Sequence, residues 1–144
     1  MLKIKVINKS KNPLPKYQTA GASGLDLHAN VKEPIILKKN DIVLVPTGLY
    51  IEIPEGYEAQ VRSRSSLALK HGIFCLNSPA TIDSDYRGEI KILLASLSEE
   101  PFTINFRDRI AQIVFAKVEK AEFEEVESLS QSIRGEGGFG STNK

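Results

Sequence analysis

The sequence is poor in the residues that several common chemistries require. It has one cysteine, Cys75, among 144 residues. No disulfide can close within the chain, and no Cys/His cluster has zinc-ligand spacing. Cys75 sits in an apolar run, Ile73-Phe74-Cys75-Leu76. It reads as a buried thiol that packs as a small hydrophobe in a reducing cytoplasm. No apolar run reaches the ~20 residues of a membrane span. The opening Met1-Leu2-Lys3-Ile4-Lys5-Val6-Ile7 alternates, unlike the continuous apolar core of a signal peptide. Neither sign of charge is in excess: 19 Lys and Arg against 18 Asp and Glu leave a formal +1. That balance gives no basic coat for nucleic acid and no acidic tail. Neither nucleic acid nor membrane is expected as a partner, and no internal repeat is visible.

What remains is a chain of strand signals. Its length suits one domain with a substantial core. Short apolar or alternating runs occupy residues 3–6, 25–29, 34–38, 41–45, 49–53, 57–62, 72–76, 90–94, 101–106 and 109–116, divided by Gly, Pro and Asn. Regularly spaced short strands predict an all-β sandwich or barrel. Thr47-Gly48 reads as a turn between two of these strands, and residues 121–126 as the strand that closes the globule. One helix is predicted over residues 66–71, with Ser65 or Ser66 as its cap. Residues 1–127 are expected to form the domain. Residues 128–144 are polar and Gly-rich and are expected to form a mobile arm.

The stretch richest in reactive groups is Thr81-Ile82-Asp83-Ser84-Asp85-Tyr86-Arg87-Gly88. An apolar strand leads in and another leads out, so it reads as the tip of a hairpin. Asp83 and Tyr86 are three apart, which in a strand would set them on opposite faces. They share a site only if the chain turns between them. The stretch reads equally as a plain polar turn, or as an Asp-x-Asp oxygen site for Mg²⁺. Arg62-Ser63-Arg64-Ser65-Ser66 offers an arginine and hydroxyls at a helix start, an anion site or an ordinary capped helix. Asp26 and His28 share one strand face, where simple solvation suffices for both. Gly135-Glu136-Gly137-Gly138-Phe139-Gly140 fits G-x-G-x-x-G, but it neither follows a strand nor opens a helix, so a dinucleotide fold is rejected. The arm instead offers free N–H groups, Arg134, hydroxyls and Phe139 to a phosphorylated ligand.

Five stretches taken in order resemble the motifs of the trimeric dUTP pyrophosphatases (dUTPases). They are Ala22-Ser23-Gly24-Leu25-Asp26-Leu27, Arg64-Ser65-Ser66-Leu67-Ala68, Ile82 through Gly88, Asp108-Arg109-Ile110-Ala111-Gln112, and Arg134-Gly135 through Gly138-Phe139-Gly140-Ser141-Thr142. The resemblance implies a distorted jelly-roll or β-clip barrel with one short helix, and a homotrimer whose sites are shared between chains. It implies hydrolysis of dUTP to dUMP and pyrophosphate with Mg²⁺, supplying dUMP for thymidylate synthesis and limiting uracil in DNA. In its terms Asp83 deprotonates water and Tyr86 checks the deoxyribose. Asn77, Thr81, Ile82 and the strand near Lys91 read the uracil. Arg64, Ser65, Ser66 and Gln112 hold phosphates, and Arg134 reaches the terminal one. Phe139 stacks on the base, with Gly140 and Ser141 beside it in the closed arm. Asp26 contacts the triphosphate-bound Mg²⁺ through water.

Three positions depart from that pattern: Ser66, Ala80 and Arg107 stand where glycine is usual, each adding a Cβ. Arg-Ser-Ser-Leu-Ala is also the wording of the related dCTP deaminases, which use a glutamate on the strand after the hairpin. The aligned position here is Leu93, with Glu89 four residues earlier. The same motifs would also suit a catalytically silent jelly-roll trimer that binds dUTP, or a dUTP-responsive regulator.

Overall fold

A computed structural model of the chain describes residues 1–138. Ten strands and one helix follow in order: β1 (Lys5–Asn8), β2 (Leu25–His28), β3 (Ile35–Leu37), β4 (Ile42–Glu52), β5 (Tyr57–Arg62), α1 (Ser65–His71), β6 (Ile73–Cys75), β7 (Ala80–Ile82), β8 (Glu89–Ser96), β9 (Phe102–Ile104) and β10 (Arg109–Lys117). They form two four-stranded sheets, β1-β4-β8-β6 and β2-β10-β5-β7, and a two-stranded ribbon, β3-β9. All the pairings are antiparallel. The expected all-β jelly-roll organisation is observed. Among the described residues its ladders stay in separate sheets and do not join into a closed barrel.

Alternation along the strands supplies the core. Ile90, Ile92 and Leu94 of β8 are buried while Lys91 is exposed between them. Ala59 and Val61 of β5, Leu27 of β2 and Ile113 of β10 belong to the same buried cluster. Each fully buried aliphatic side chain is worth about 1.5–3 kcal/mol relative to exposure. Cys75 is in this cluster, and burial pushes its thiol pKa up.

The structure differs from the sequence reading in four places. Residues 42–52 are one strand, not two, because Thr47-Gly48 forms a bulge rather than a turn. The central hairpin pairs β6 with β8, as the apolar runs suggested, but β7 intervenes and joins β5 in the other sheet. α1 starts at Ser65 with Arg64 as N-cap and no side-chain cap bond. Finally, residues 118–138 carry no strand or helix, and Phe123 is 98% exposed, so residues 121–126 do not close the globule among the described residues.

Candidate active site

The link between β7 and β8 is a folded turn. The Tyr86 N–H donates to the Asp83 carbonyl at 3.2 Å, closing a β-turn over Asp83-Ser84-Asp85-Tyr86. Arg87 Nη1 donates to the carbonyls of Ser84 (2.6 Å) and Tyr86 (2.9 Å) and braces it. A spacing of three therefore no longer separates the two functional groups. Asp83 and Tyr86 line one cleft of about 700 Å³ together with Asn77, Thr81, Ile82 and Lys91.

The Tyr86 ring is held at both ends. Its Oη donates to the Glu89 carbonyl at 3.0 Å. The ring also lies against Gly88, where a Cβ would stand 2.3 Å from Tyr86 Oη. Glycine at 88 thus leaves the ring this position, from which any Cβ would displace it. Leu44 and Tyr50 of β4 also line the cleft, and β4 bulges between them, where four steps from Pro46 to Tyr50 pass against two from Lys91 to Glu89. Three hydrogen bonds fix the bulge. Thr47 Oγ1 donates to the Ile90 carbonyl (2.6 Å), the Leu49 N–H donates to Thr47 Oγ1 (3.2 Å), and the Gly48 N–H donates to Glu89 Oε1 (2.9 Å). Gly48 has φ +72, which glycine adopts at no steric cost. Glu89 is thereby tied to backbone, and Leu93 is half-buried and aliphatic. Leu93, at the position of the deaminase glutamate, has no acid to offer.

A second cluster lies on β2, β10 and the start of α1. Arg64 Nε approaches Asp26 Oδ1 at 3.0 Å, and Arg64 Nη1 donates to the Arg109 carbonyl at 2.9 Å. Arg109 Nη1 approaches Asp26 Oδ2 at 3.2 Å. Gln112 Nε2 donates to the Ser63 carbonyl at 3.0 Å, and its side chain packs so tightly on Gly24 that a Cβ there would meet Gln112 Oε1 at 2.3 Å. Ser65 and Ser66 are exposed in the first turn of α1, and neither hydroxyl is spent on a cap. His28 stands beside this cluster. Burial is the main cause of its lowered pKa; Asp26 opposes the shift, while Arg109, Arg64 and Arg107 add to it.

The sequence-predicted residues therefore fall into two groups. Asp83, Tyr86, Asn77, Thr81, Ile82 and Lys91 share the cleft. Arg64, Ser65, Ser66, Gln112 and Asp26 form the basic cluster, none of them lining that cleft. Arg134 lies in neither. Its Nε donates to the Gly137 carbonyl at 2.6 Å within a turn of the tail. Phe139, Gly140 and Ser141 lie outside the described residues. Leu44, Tyr50 and Glu89 also line the cleft. Sequence reasoning missed their place there because it depends on the β4–β8 register. It also missed Arg109, although that residue stands inside the Asp108–Gln112 motif.

The three departures from glycine resolve differently. Ser66 lies in helix and Ala80 in strand, and neither has positive φ. Arg107 does, at φ +72. Its N–H donates to the Ala29 carbonyl at 3.0 Å, pinning the link between β9 and β10 to the end of β2.

Magnesium fits this donor set in one way. Among the described residues no three His, Cys, Asp or Glu side chains converge, so none of them forms an all-protein cage. Mg²⁺ commonly keeps waters and binds one or two carboxylates plus substrate phosphates. Asp26 has one guanidinium at each oxygen and lone pairs to spare. It fits an outer contact to a magnesium carried by a triphosphate.

Residues 10–143 match the dUTPase family. The chain is 62% identical over 141 residues to the deoxyuridine 5'-triphosphate nucleotidohydrolase of Cytophaga hutchinsonii, covering 98% of this chain and 92% of that one. Its fold is similar to that of a Staphylococcus bacteriophage 80alpha dUTPase solved with dUPNHPP, at a TM-score of 0.85, 24% identity and 99% coverage of both chains. It is also similar to a mutant dUTPase from phage phi11 of S. aureus described with a structural Mg(II) ion. There the TM-score is 0.78 at 21% identity, covering 88% of this chain and 97% of that one.

Proposed function

Because the chain belongs to the dUTPase family, we propose that it hydrolyses dUTP to dUMP and pyrophosphate in the cleft around Asp83 and Tyr86. The observation that carries the reading is the turn that sets this carboxylate and this phenol in one cleft. Asp83 orients a water, takes its proton as the oxygen attacks the α-phosphorus, and pyrophosphate departs. Tyr86, braced by Gly88 and the Glu89 carbonyl, lies where a ribose 2′-hydroxyl would clash. Asn77 and the edges of β7 and β8 at Thr81, Ile82 and Lys91 present donors and acceptors to the uracil. Arg64, Ser65, Ser66 and Gln112 hold the phosphates. Asp26 would hold, through water, a Mg²⁺ carried by the triphosphate, and that ion would supply charge neutralisation at the phosphoryl oxygens.

Cleft and basic cluster are separate in one chain, and this favours a homotrimer in which one copy offers the cleft and a neighbour the phosphate end. Ile42 and Leu44 of β4 and Leu76 after β6 are more than two-fifths exposed, and Leu44 lines the cleft. A neighbouring copy would cover such apolar surface. Residues 128–144 would then close over a site, bringing Arg134, Phe139, Gly140 and Ser141 to the nucleotide, with residues 1–127 as the domain. The buried thiol suits a cytoplasmic setting, where the product feeds thymidylate synthesis and uracil is kept out of DNA.

The test is pyrophosphate release from dUTP, dCTP, dTTP and UTP in parallel, with Mg²⁺ and then with chelator. Mg²⁺-dependent release from dUTP alone is expected. Ammonia from dCTP, or no turnover of any nucleotide, would refute the reading.

A further inference from the structure

Glu89, the first residue of β8, meets the site at both of its ends. Its carbonyl accepts from Tyr86 Oη at 3.0 Å. Its carboxylate reaches β4, where Oε1 accepts from the Gly48 N–H at 2.9 Å. A backbone carbonyl goes where its strand goes. Whatever fixes the start of β8 therefore fixes the acceptor of the Tyr86 phenol.

The β4 bulge creates the need for this carboxylate. Between the pairs Pro46–Lys91 and Tyr50–Glu89, β4 has Thr47, Gly48 and Leu49, while β8 has only Ile90. The Gly48 carbonyl accepts from the Lys9 N–H at 2.8 Å. The Gly48 N–H has no ladder partner on β8, and Gly48 is buried. A buried N–H needs a partner, and Glu89 Oε1 is that partner. The anchor itself has little room to move. Gly48 has φ +72, and a Cβ there would stand 2.8 Å from Ser10 Cβ. The Glu89 side chain is 18% exposed, and Lys91 Nζ stays 3.9 Å from Oε2, too far for a hydrogen bond. The bond to Gly48 is thus the tether.

We propose that the Glu89 carboxylate is a positioning residue for sugar discrimination: it ties the start of β8 to the β4 bulge and so holds the carbonyl that receives the Tyr86 phenol. This rests on the dUTPase reading and on the sugar check assigned to Tyr86. Reach matters here and charge does not. Glutamine offers Gly48 an oxygen at the same distance along the side chain. Aspartate keeps the charge but falls a methylene short.

The variants Glu89→Ala, Glu89→Asp, Glu89→Gln, Tyr86→Phe and Glu89→Ala with Tyr86→Phe test this. The readout is the ratio of kcat/KM for dUTP to that for UTP. In Glu89→Ala and Glu89→Asp the ratio should fall about 5- to 10-fold, the worth of one hydrogen bond. Glu89→Gln should stay within about twofold of the parent, because the acceptor is kept. Tyr86→Phe has no hydroxyl to meet the carbonyl, so adding Glu89→Ala to it should change the ratio by less than about twofold. Effects that multiply in the double variant overturn the proposal. A parent-like ratio in Glu89→Ala also overturns it, even with both rates lowered, since Glu89 would then only support the fold. Rescue by aspartate and not by glutamine overturns it too, by assigning the effect to charge. Nuclear magnetic resonance of isotope-labelled tyrosine, with the Tyr86 ring assigned through Tyr86→Phe, needs no turnover. The ring signals should shift in Glu89→Ala and not in Glu89→Gln. A parent that leaves dUTP intact refutes the dUTPase reading, while ring signals unmoved in Glu89→Ala refute the tether by themselves.

Discussion

Gly88→Ala probes the site without touching a functional group. The new methyl would lie 2.3 Å from Tyr86 Oη, 2.5 Å from Cζ and 2.9 Å from Cε2. Ordinary contact begins near 3.4 Å, so the phenol must retreat by about 1 Å, enough to cost up to about a hundredfold in rate when a reacting group is misplaced. Gly88 does not have positive φ, so alanine brings no backbone strain. Tyr86 is 44% exposed, so the ring is expected to move outward and lose the hydrogen bond to the Glu89 carbonyl, worth about 1 kcal/mol. Stability should therefore change by no more than about 1 kcal/mol, while kcat/KM for dUTP falls about 10- to 100-fold. Preference for dUTP over UTP should narrow, because the ring no longer fills the space of a 2′-hydroxyl. Thermal melts and parallel kinetics on both nucleotides measure these effects. Unchanged discrimination at unchanged stability would refute the assignment of the sugar check to Tyr86.

Asp83→Asn keeps shape and removes the base. Turnover should fall by at least about 10²-fold, while binding of a non-hydrolysable dUTP analogue by calorimetry stays near the parent value; parent-rate turnover would refute the base assignment. Arg107→Gly releases a left-handed conformation that costs a non-glycine residue about 1–2 kcal/mol. Against this stand the hydrogen bond from Arg107 Nη2 to the Lys11 carbonyl and greater freedom in the unfolded chain. The net gain should be about 0.5–1 kcal/mol by denaturant titration. His28 is shifted below its ordinary 6.5, chiefly by burial. Its neutral form is favoured in the fold, so its contribution to stability is present above pH 6.5 and is lost as pH falls through the lower folded value. Melting of His28→Gln should therefore decline less steeply than the parent below about pH 6.5, and parallel acid limbs would refute the assignment.

The sequence announced strands and chemistry better than neighbours. Alternation gave β5, β8 and β10 directly, because a half-buried strand writes its dry face into every second residue. It failed where one residue breaks the parity. Thr47-Gly48 has the composition of a turn, yet the Glu89 carboxylate and the Thr47 hydroxyl satisfy the local backbone and let β4 run on. Arg109 appears on the wrong face by counting, since the bulge at Ile110-Ala111 depends on pairing with β2. Tyr50 and Glu89 reach the cleft through a register spanning about forty residues, which no local pattern encodes. Residues 121–126 alternate as a strand would, but alternation specifies a face and not the partner to cover it.

The lone cysteine gives the molecule a built-in clock. Cys75 is 3% exposed at the inner end of β6, paired with Leu94 in the middle of β8. Burial holds the thiol protonated, and a probe reaches it only when that edge of the sheet separates. Each alkylation event therefore times an opening of the sheet that borders the cleft, and its dependence on added nucleotide reads how far ligand binding suppresses that opening. No label needs to be engineered, and no second thiol in the chain confuses the signal.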